Sequence, residues 1–596
     1  MKRNWLKTIL ASGLCLSMLV GCSGNSSSSE GSVSVNISSE PPEMLSFLNT
    51  DSTSGNVLRH VVEGLVTLNP ENEAVPGVAK EVPTKENGGI SEDGKTIVFT
   101  MNPDAKWSDG TQVTAKDFEF AWDQLFSPTN GAGYASTWAP LIVGAEDYLN
   151  TAMNLQEEFV NAGKAKIVKE KNSEGEEEEK FTVEKSYEKE YNETLATRTE
   201  ENLAKKGWVA SEDGTTFTVQ LTGPYTYFVN LMAFYNFAPL QQEAYEAAGG
   251  LDTYANDMEG FLGNGPFKFK EWSHNDKIVL EKNENYWNAD SIKLNEITMR
   301  MIDNTNTALN EFENGTIDMI GLTGEQANNL TKDGQKVLNY ADGSVWYFEF
   351  NHNTKAFSNV KVRKALSLAY DVNTYIDTVK GDQSTVANTF TAPSVNNGEF
   401  AKSLGNLFDR PETEADYAEL KALLEEGLKE EGIEFKDFKI TLLGDTGDDA
   451  LKTYAFFKEQ WQNHLGLSDS QVVIKQVEFK TRIADMQSGN FDIVFAGWSA
   501  DYDDPMSYLD LWLTGSGNNH GGYSNAEYDK VVKAALVEAD AAKRTEYLKQ
   551  AEKIIAEDYP IGVIYHRQRS YICSDRLTGV VRNAFSDLDL RYAEIK

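Results

Sequence analysis

One pattern constrains the fold more than any other in this chain. It is a helix, a glycine, and then at once a strand that carries an aspartate, and it occurs twice. Glu311-Phe-Glu-Asn-Gly315-Thr-Ile-Asp318-Met-Ile is one copy, and Met486-Gln-Ser-Gly489-Asn-Phe-Asp492-Ile-Val-Phe is the other. Glycine ends a helix in the left-handed conformation, and a strand that follows directly belongs to a layered α/β arrangement. Two such joints far apart imply α/β layers in separate parts of the chain. A second pair of segments is also alike: Ser91-Glu-Asp-Gly94 and Ser211-Glu-Asp-Gly214 each feed an alternating strand. Ile97, Phe99 and Met101 share one face, as do Phe217, Val219 and Leu221, so the two strands are expected to be neighbours in one sheet.

The N-terminus sets the compartment. Lys2, Arg3 and Lys7 precede an apolar run from Thr8 to Val20, and Leu19-Val-Gly-Cys22 follows. The run is too short for a permanent membrane helix and reads as a secretory signal. Its end resembles a lipobox, which makes Cys22 the expected site of lipidation and the new N-terminus, and two acyl chains there would give stable anchoring. The protein is then expected at the cell membrane, lipid-anchored on the extracytoplasmic face, with a Gram-positive surface as the setting. Residues 23–32 read as a Ser/Gly-rich tether, and Val33, Val35 and Ile37 alternate as a first strand. Of the three cysteines, only Cys573 would remain unmodified, so the core alone must hold the fold.

A net charge of −37 argues against nucleic acid as a partner and against adhesion to anionic lipid. The six histidines are scattered, and none pairs at metal-ligand spacing with another His or with Cys. Thr114-Ala-Lys-Asp117 is a capping-box-like start, and Phe118, Ala121, Trp122, Leu125 and Phe126 then trace a buried helix face. Residues 155–206 are rich in Lys, Glu and Asn and read as a solvated, partly helical insertion or a disordered loop. Gly89-Ile-Ser-Glu-Asp-Gly94-Lys-Thr96 fits a P-loop pattern but is rejected. A strand follows it instead of a helix, and Glu92 and Asp93 would repel phosphate. Ser358/Lys361 and Ser186/Lys189 fit S-x-x-K without its companion motifs, and no H-E-x-x-H or G-x-S-x-G occurs.

Gly497-Trp-Ser-Ala-Asp-Tyr-Asp-Asp-Pro505 is the sharpest segment. Asp504 reads as a helix N-cap with Pro505 at the first helical position. Asp501 lies between two aromatics at a strand end, where a carboxylate could hold a cation or an ammonium group. The spacing does not complete a calcium loop.

That segment resembles the Gly-Trp-x-Ala-Asp-Tyr-x-Glu/Asp-Pro signature of oligopeptide-binding proteins, the extracytoplasmic receptors of peptide ABC importers. Glu63-Gly-Leu65, Pro76-Gly-Val-Ala79, Ala105-Lys-Trp-Ser-Asp-Gly110, Tyr134-Ala-Ser136, Asn264-Gly-Pro-Phe267, Asn285-Tyr-Trp-Asn288 and Phe357-Ser-Asn-Val-Lys-Val-Arg363 agree with it in family order. The resemblance implies an α/β, two-lobed, periplasmic-binding-protein-like fold with an additional third domain and a hinge between the lobes. Residues 33–62, 241–343 and 569–596 resemble the main domain of one lobe, 63–240 its extra domain, and 344–568 the second lobe. An oligopeptide would be held as an extended strand between the lobes and delivered to an ABC permease by a monomer, with no enzymatic activity and no cofactor. A receptor for nickel, haem, an oligosaccharide or a peptide signal is the rival reading, and a secreted hydrolase a more distant one.

By motif, Asp501 matches the acid that pairs with the peptide ammonium. Gly497, Trp498 and Ser499 match the strand whose backbone pairs with the ligand, Tyr134 an aromatic contact, and Glu349 a cleft acid. One family feature is missing. Phe495 and Met486 stand where basic residues would receive the C-terminal carboxylate, and 444–450 read Gly-Asp-Thr-Gly-Asp-Asp-Ala. The resemblance therefore implies a pocket open to long or C-terminally blocked peptides.

Overall fold

The computed structural model describes residues 31–171, 177–447, 450–538 and 540–596. The signal, Cys22, most of the tether, and positions 448–449 of the acidic stretch lie outside the described residues.

Ten strands form the main path of one curled sheet: β1 (Ser32–Asn36), β2 (Phe267–Ser273), β3 (Lys277–Lys282), β4 (Glu296–Arg300), β5 (Met319–Leu322), β6 (Leu338–Phe350), β7 (Ile440–Asp445), β8 (Val472–Val477), β9 (Ile493–Ser499) and β10 (Ile561–Cys573). Their spatial order is β8-β7-β9-β6-β10-β5-β1-β4-β3-β2, and Thr385–Val386 pairs with β10 off this path. Each of the two lobes owns one end of this sheet. β6 and β10, each of 13 residues, run antiparallel through the middle and join them. Their register shifts between Ala341 and Val345, where Gly343 takes φ +71° and Asp342 pairs with Arg567. That irregularity, with a second shift between Trp346 and Tyr347, interrupts the ladder.

Both helix–glycine–strand joints form. Helices Thr305–Glu313 and Phe479–Gln487 end at Gly315 (φ +75°) and Gly489 (φ +71°), and β5 and β9 follow. Each strand is antiparallel to a long central strand on one side and parallel to β1 or β7 on the other. The aspartates have a common structural task. Asp318 accepts the Ser34 N–H at 3.0 Å, and Asp492 accepts the Thr441 N–H at 2.9 Å. Each carboxylate thus satisfies a main-chain donor at the start of a parallel pair. The two lobes repeat one design.

The strands after the two Asp-Gly turns do pair. Ile97 faces Val219 and Phe99 faces Phe217 in a three-stranded sheet. Helix Ala115–Leu125 starts with its capping box and lays Phe118, Trp122 and Leu125 onto that sheet's layer. The ring of Trp122 lies edge-on to Phe217 at 5.0 Å. The charged insertion is more ordered than its composition suggests. Helices Thr151–Asn161 and Glu188–Leu203 flank a hairpin of Ala165–Lys171 and Glu177–Val183, which the charge pattern did not foretell. Its own small core gathers Leu155, Phe159, Ala165 and Tyr191.

Candidate functional site

The site grows from one free strand edge. β9 pairs with β6 along its whole length, from Phe350↔Ile493 to Ser344↔Ser499. On its other side it pairs with β7 only at Ile493 and Val494. From Phe495 to Ser499 no strand among the described residues takes that second edge. Such an edge is a template for an added strand. Gly497 is exposed there, and its lack of a side chain has a reason: a Cβ would come within 2.8 Å of the Trp346 ring. Ser499 is exposed too and shares a 2.6 Å hydroxyl contact with Ser344, next to the register shift. Trp498 is pinned by its Nε1–H, which donates to the Ser507 carbonyl at 2.8 Å.

The chain then turns into helix Met506–Leu509. The N-cap position falls on Pro505, one residue later than the sequence suggested, and Asp504 accepts the Met506 N–H at 2.9 Å from just before it. It also takes both guanidinium nitrogens of Arg544, at 2.7 and 2.8 Å. The Asp501 N–H donates to the buried Ser507 hydroxyl at 2.8 Å, which fixes the backbone that carries its carboxylate. The carboxylate crosses the cleft and accepts the Tyr134 hydroxyl at 3.0 Å. Tyr134 itself is stacked on Trp138, 4.7 Å away and 4° from parallel. Burial pushes the Asp501 carboxyl from 3.8 up to about 7, and the Tyr134 hydrogen bond opposes that rise. Asp510 is also pushed well above its ordinary value, first by burial and then by the charge of Asp501. Asp501 is therefore an acid surrounded by rings, held in place, with no positive side chain paired to it among the described residues.

A second contact joins the lobes beside it. The Tyr227 ring is sandwiched between Tyr502, stacked at 5.0 Å, and the Arg544 guanidinium at 5.4 Å. Arg544 and Tyr227 carried no local signal in the sequence, since each lies far along the chain from the motif it supports. Asp501, Tyr502 and Asp503 also line a small pocket, open to solvent, together with Arg59, Asn72, Asn230 and Phe234.

The other candidates fall elsewhere. Glu349 is buried on β6, where Oε1 accepts the Gly521 N–H at 2.6 Å and Oε2 lies 3.8 Å from His520 Nδ1. No contact links it to Asp501. Phe495 and Met486 are both buried. Arg482, one helical turn before Met486, lies against the Met486 sulfur at 3.1 Å and pairs with Asp445 at 2.6 Å. A guanidinium thus stands beside the position that the motif comparison left without one, but it is already neutralised. Among the described residues, no group of three or more His, Cys, Asp or Glu side chains is gathered to hold a metal ion. No helix there is long and apolar enough to cross a membrane.

Comparison with known proteins agrees with this geometry. Residues 73–520 match the family described as bacterial extracellular solute-binding proteins, family 5, middle. The chain is 31% identical over 613 aligned residues to the oligopeptide-binding protein OppA of Bacillus subtilis (strain 168), covering 100% of each. Among solved structures, it is similar to Listeria monocytogenes OppA bound to peptide, with a TM-score of 0.77 and 26% identity over 96% of this chain and 100% of that one. It is also similar to Haemophilus influenzae OppA in complex with RPPGFSPFR, with a TM-score of 0.73 and 26% identity over 95% of this chain and 99% of that one.

Proposed function

Because the chain belongs to the bacterial extracellular solute-binding proteins, family 5, we propose that it captures oligopeptides between its lobes and delivers them to an ABC permease. The observation that carries this reading is the free β9 edge from Phe495 to Ser499, which leads to the half-buried Asp501 inside the interlobe cleft. A peptide that adds to this edge gains main-chain hydrogen bonds whatever its sequence. With its ammonium on Asp501 it runs antiparallel to β9, toward the Asp445–Arg482 pair. Gly497, Trp498 and Ser499 offer the backbone, Tyr134 orients the acid, and Glu349 is a more remote acid of the second lobe. The role is binding rather than catalysis. Lobe closure then presents the loaded form to the permease. Residues 33–62, 241–343 and 569–596 form the main domain of the first lobe, 63–240 its extra domain and 344–568 the second lobe. The protein acts as a monomer outside the cytoplasm, anchored through acylated Cys22 on a Gram-positive cell surface.

The test is mass spectrometry of the purified protein, under native conditions and again after unfolding. Intact peptides released on unfolding support the reading. Products that shorten with time, or a sugar or a metal in place of peptide, overturn it.

A further inference from the structure

The cavity at Asp501 is lined by polar groups of both lobes. Asp501 belongs to the second lobe, and Arg59, in the last turn of the first-lobe helix Ser52–Val61, lines the same cavity. Arg59 shares with Arg300 and Arg410 a buried nitrogen that has no partner, and of the three it is the one that lines this cavity. Arg482, Arg544, Arg567, Arg569, Arg576 and Arg591 each hold a carboxylate. Arg363 lacks one but is laced to several main-chain carbonyls, and Arg410 reaches main-chain carbonyls through Nη2 alone. Arg59 donates to one carbonyl, that of Phe585, at 2.8 Å, and its Nε is buried without a partner. The acids whose fields reach it are already engaged. Asp589 is held by Arg591, and Asp587 by Arg569 and Arg582. Burial accordingly pulls the Arg59 pKa down, and the field of Asp589 opposes this only in part. A guanidinium with unused donors, in a cavity that crosses the cleft, is a ready partner for an anionic acceptor.

We infer that this cavity receives the first residue of a bound peptide and that Arg59 selects a carboxylate on that residue's side chain. The inference rests on the peptide-binding reading above. The α-ammonium takes Asp501, and the side chain of the same residue lies toward Arg59. A glutamate there completes the donor set of Arg59, whereas a lysine sets a second cation beside it. Asp503, the other acid on the wall, does not compete for Arg59. It is exposed, and its Oδ1 accepts the Asn396 N–H at 2.6 Å.

The experiment is calorimetry at neutral pH with four tetrapeptides, X-Ala-Ala-Ala, where X is Glu, Gln, Ala or Lys. The expected order is Glu, Gln, Ala, Lys, with Glu about tenfold or more tighter than Lys. Arg59→Met should bring the Glu-to-Lys ratio to within about twofold, and Arg59→Lys should retain part of it. A wild-type ratio near one overturns the inference, as does an Arg59→Met variant that keeps the full preference for Glu. If an unfolding scan shows that the Met variant does not fold, the wild-type ranking decides alone. If the four peptides bind without this ranking, only the role of Arg59 falls. If none binds, the peptide-binding reading falls with it.

Discussion

Asp501 should make closure conditional on a ligand. In the closed form, burial moves its carboxyl from 3.8 to about 7. In an open cleft the same group is hydrated and titrates near its ordinary value. Closing without a ligand at pH 7 or above therefore costs ~4 kcal/mol, because a charge must be buried or a proton taken up. The sign follows from the raised value. Below about pH 3 the acid is protonated in both forms and the cost vanishes. It grows as the pH rises toward 7 and is constant above that. Tyr134, Tyr235, Tyr502, Tyr508 and Asp510 all feel the charge of Asp501 and none of them is positive, while Arg59, which lines the same cavity, makes no ion pair with it. A peptide ammonium does. Asp501→Asn should weaken free-amine peptides by about 3–5 kcal/mol while leaving N-acetylated peptides equal or tighter, because the buried charge is gone. The same variant should close without ligand, read as a smaller radius of gyration in small-angle scattering. The wild type should do so only when acidified. The reasoning fails if both peptide classes lose equally, or if the ligand-free scattering of the wild type is flat between about pH 4.5 and 8.

Three further outcomes are expected. Because Asp445 already neutralises Arg482, peptides of two to ten residues should bind alike as free acids and as amides, with no optimum at three or four. Asp445→Ala should free the guanidinium and favour the acid by about 1.5–3 kcal/mol, which calorimetry on matched pairs would measure. Cys22→Ala should leave the protein unlipidated and shed into the medium, and fatty-acid labelling that still marks the variant would contradict this. Trp122→Ala should cost about 3–5 kcal/mol in denaturant unfolding, since the ring is fully buried against Phe217 and Phe237.

Local chemistry decided what could be read without coordinates. The two helix–glycine–strand joints, the paired Asp-Gly strands and the Thr114 capping box depend on residues a few positions apart, and all of them form. The motif at 497–505 likewise announced a strand running into a helix, although the N-cap falls on Pro505, one residue past Asp504. The hairpin inside 155–206 was illegible, because its strands are so charged that periodicity gives no signal, and only the small core around Tyr191 orders them. The surroundings of Glu349 were not legible either, since Gly521, whose N–H its Oε1 accepts, lies 172 residues further along the chain.

What the tertiary structure alone decided is the company each group keeps. Tyr134 meets Asp501, Tyr227 slots between Tyr502 and Arg544, and Arg59 lines one cavity with Asp501 only because two lobes close over one sheet. Those partners are separated by hundreds of residues, and no local pattern encodes such a distance. Burial does the rest. It is the closed cleft, not the aspartate itself, that lifts Asp501 to about 7 and leaves Arg59 with donors to spare.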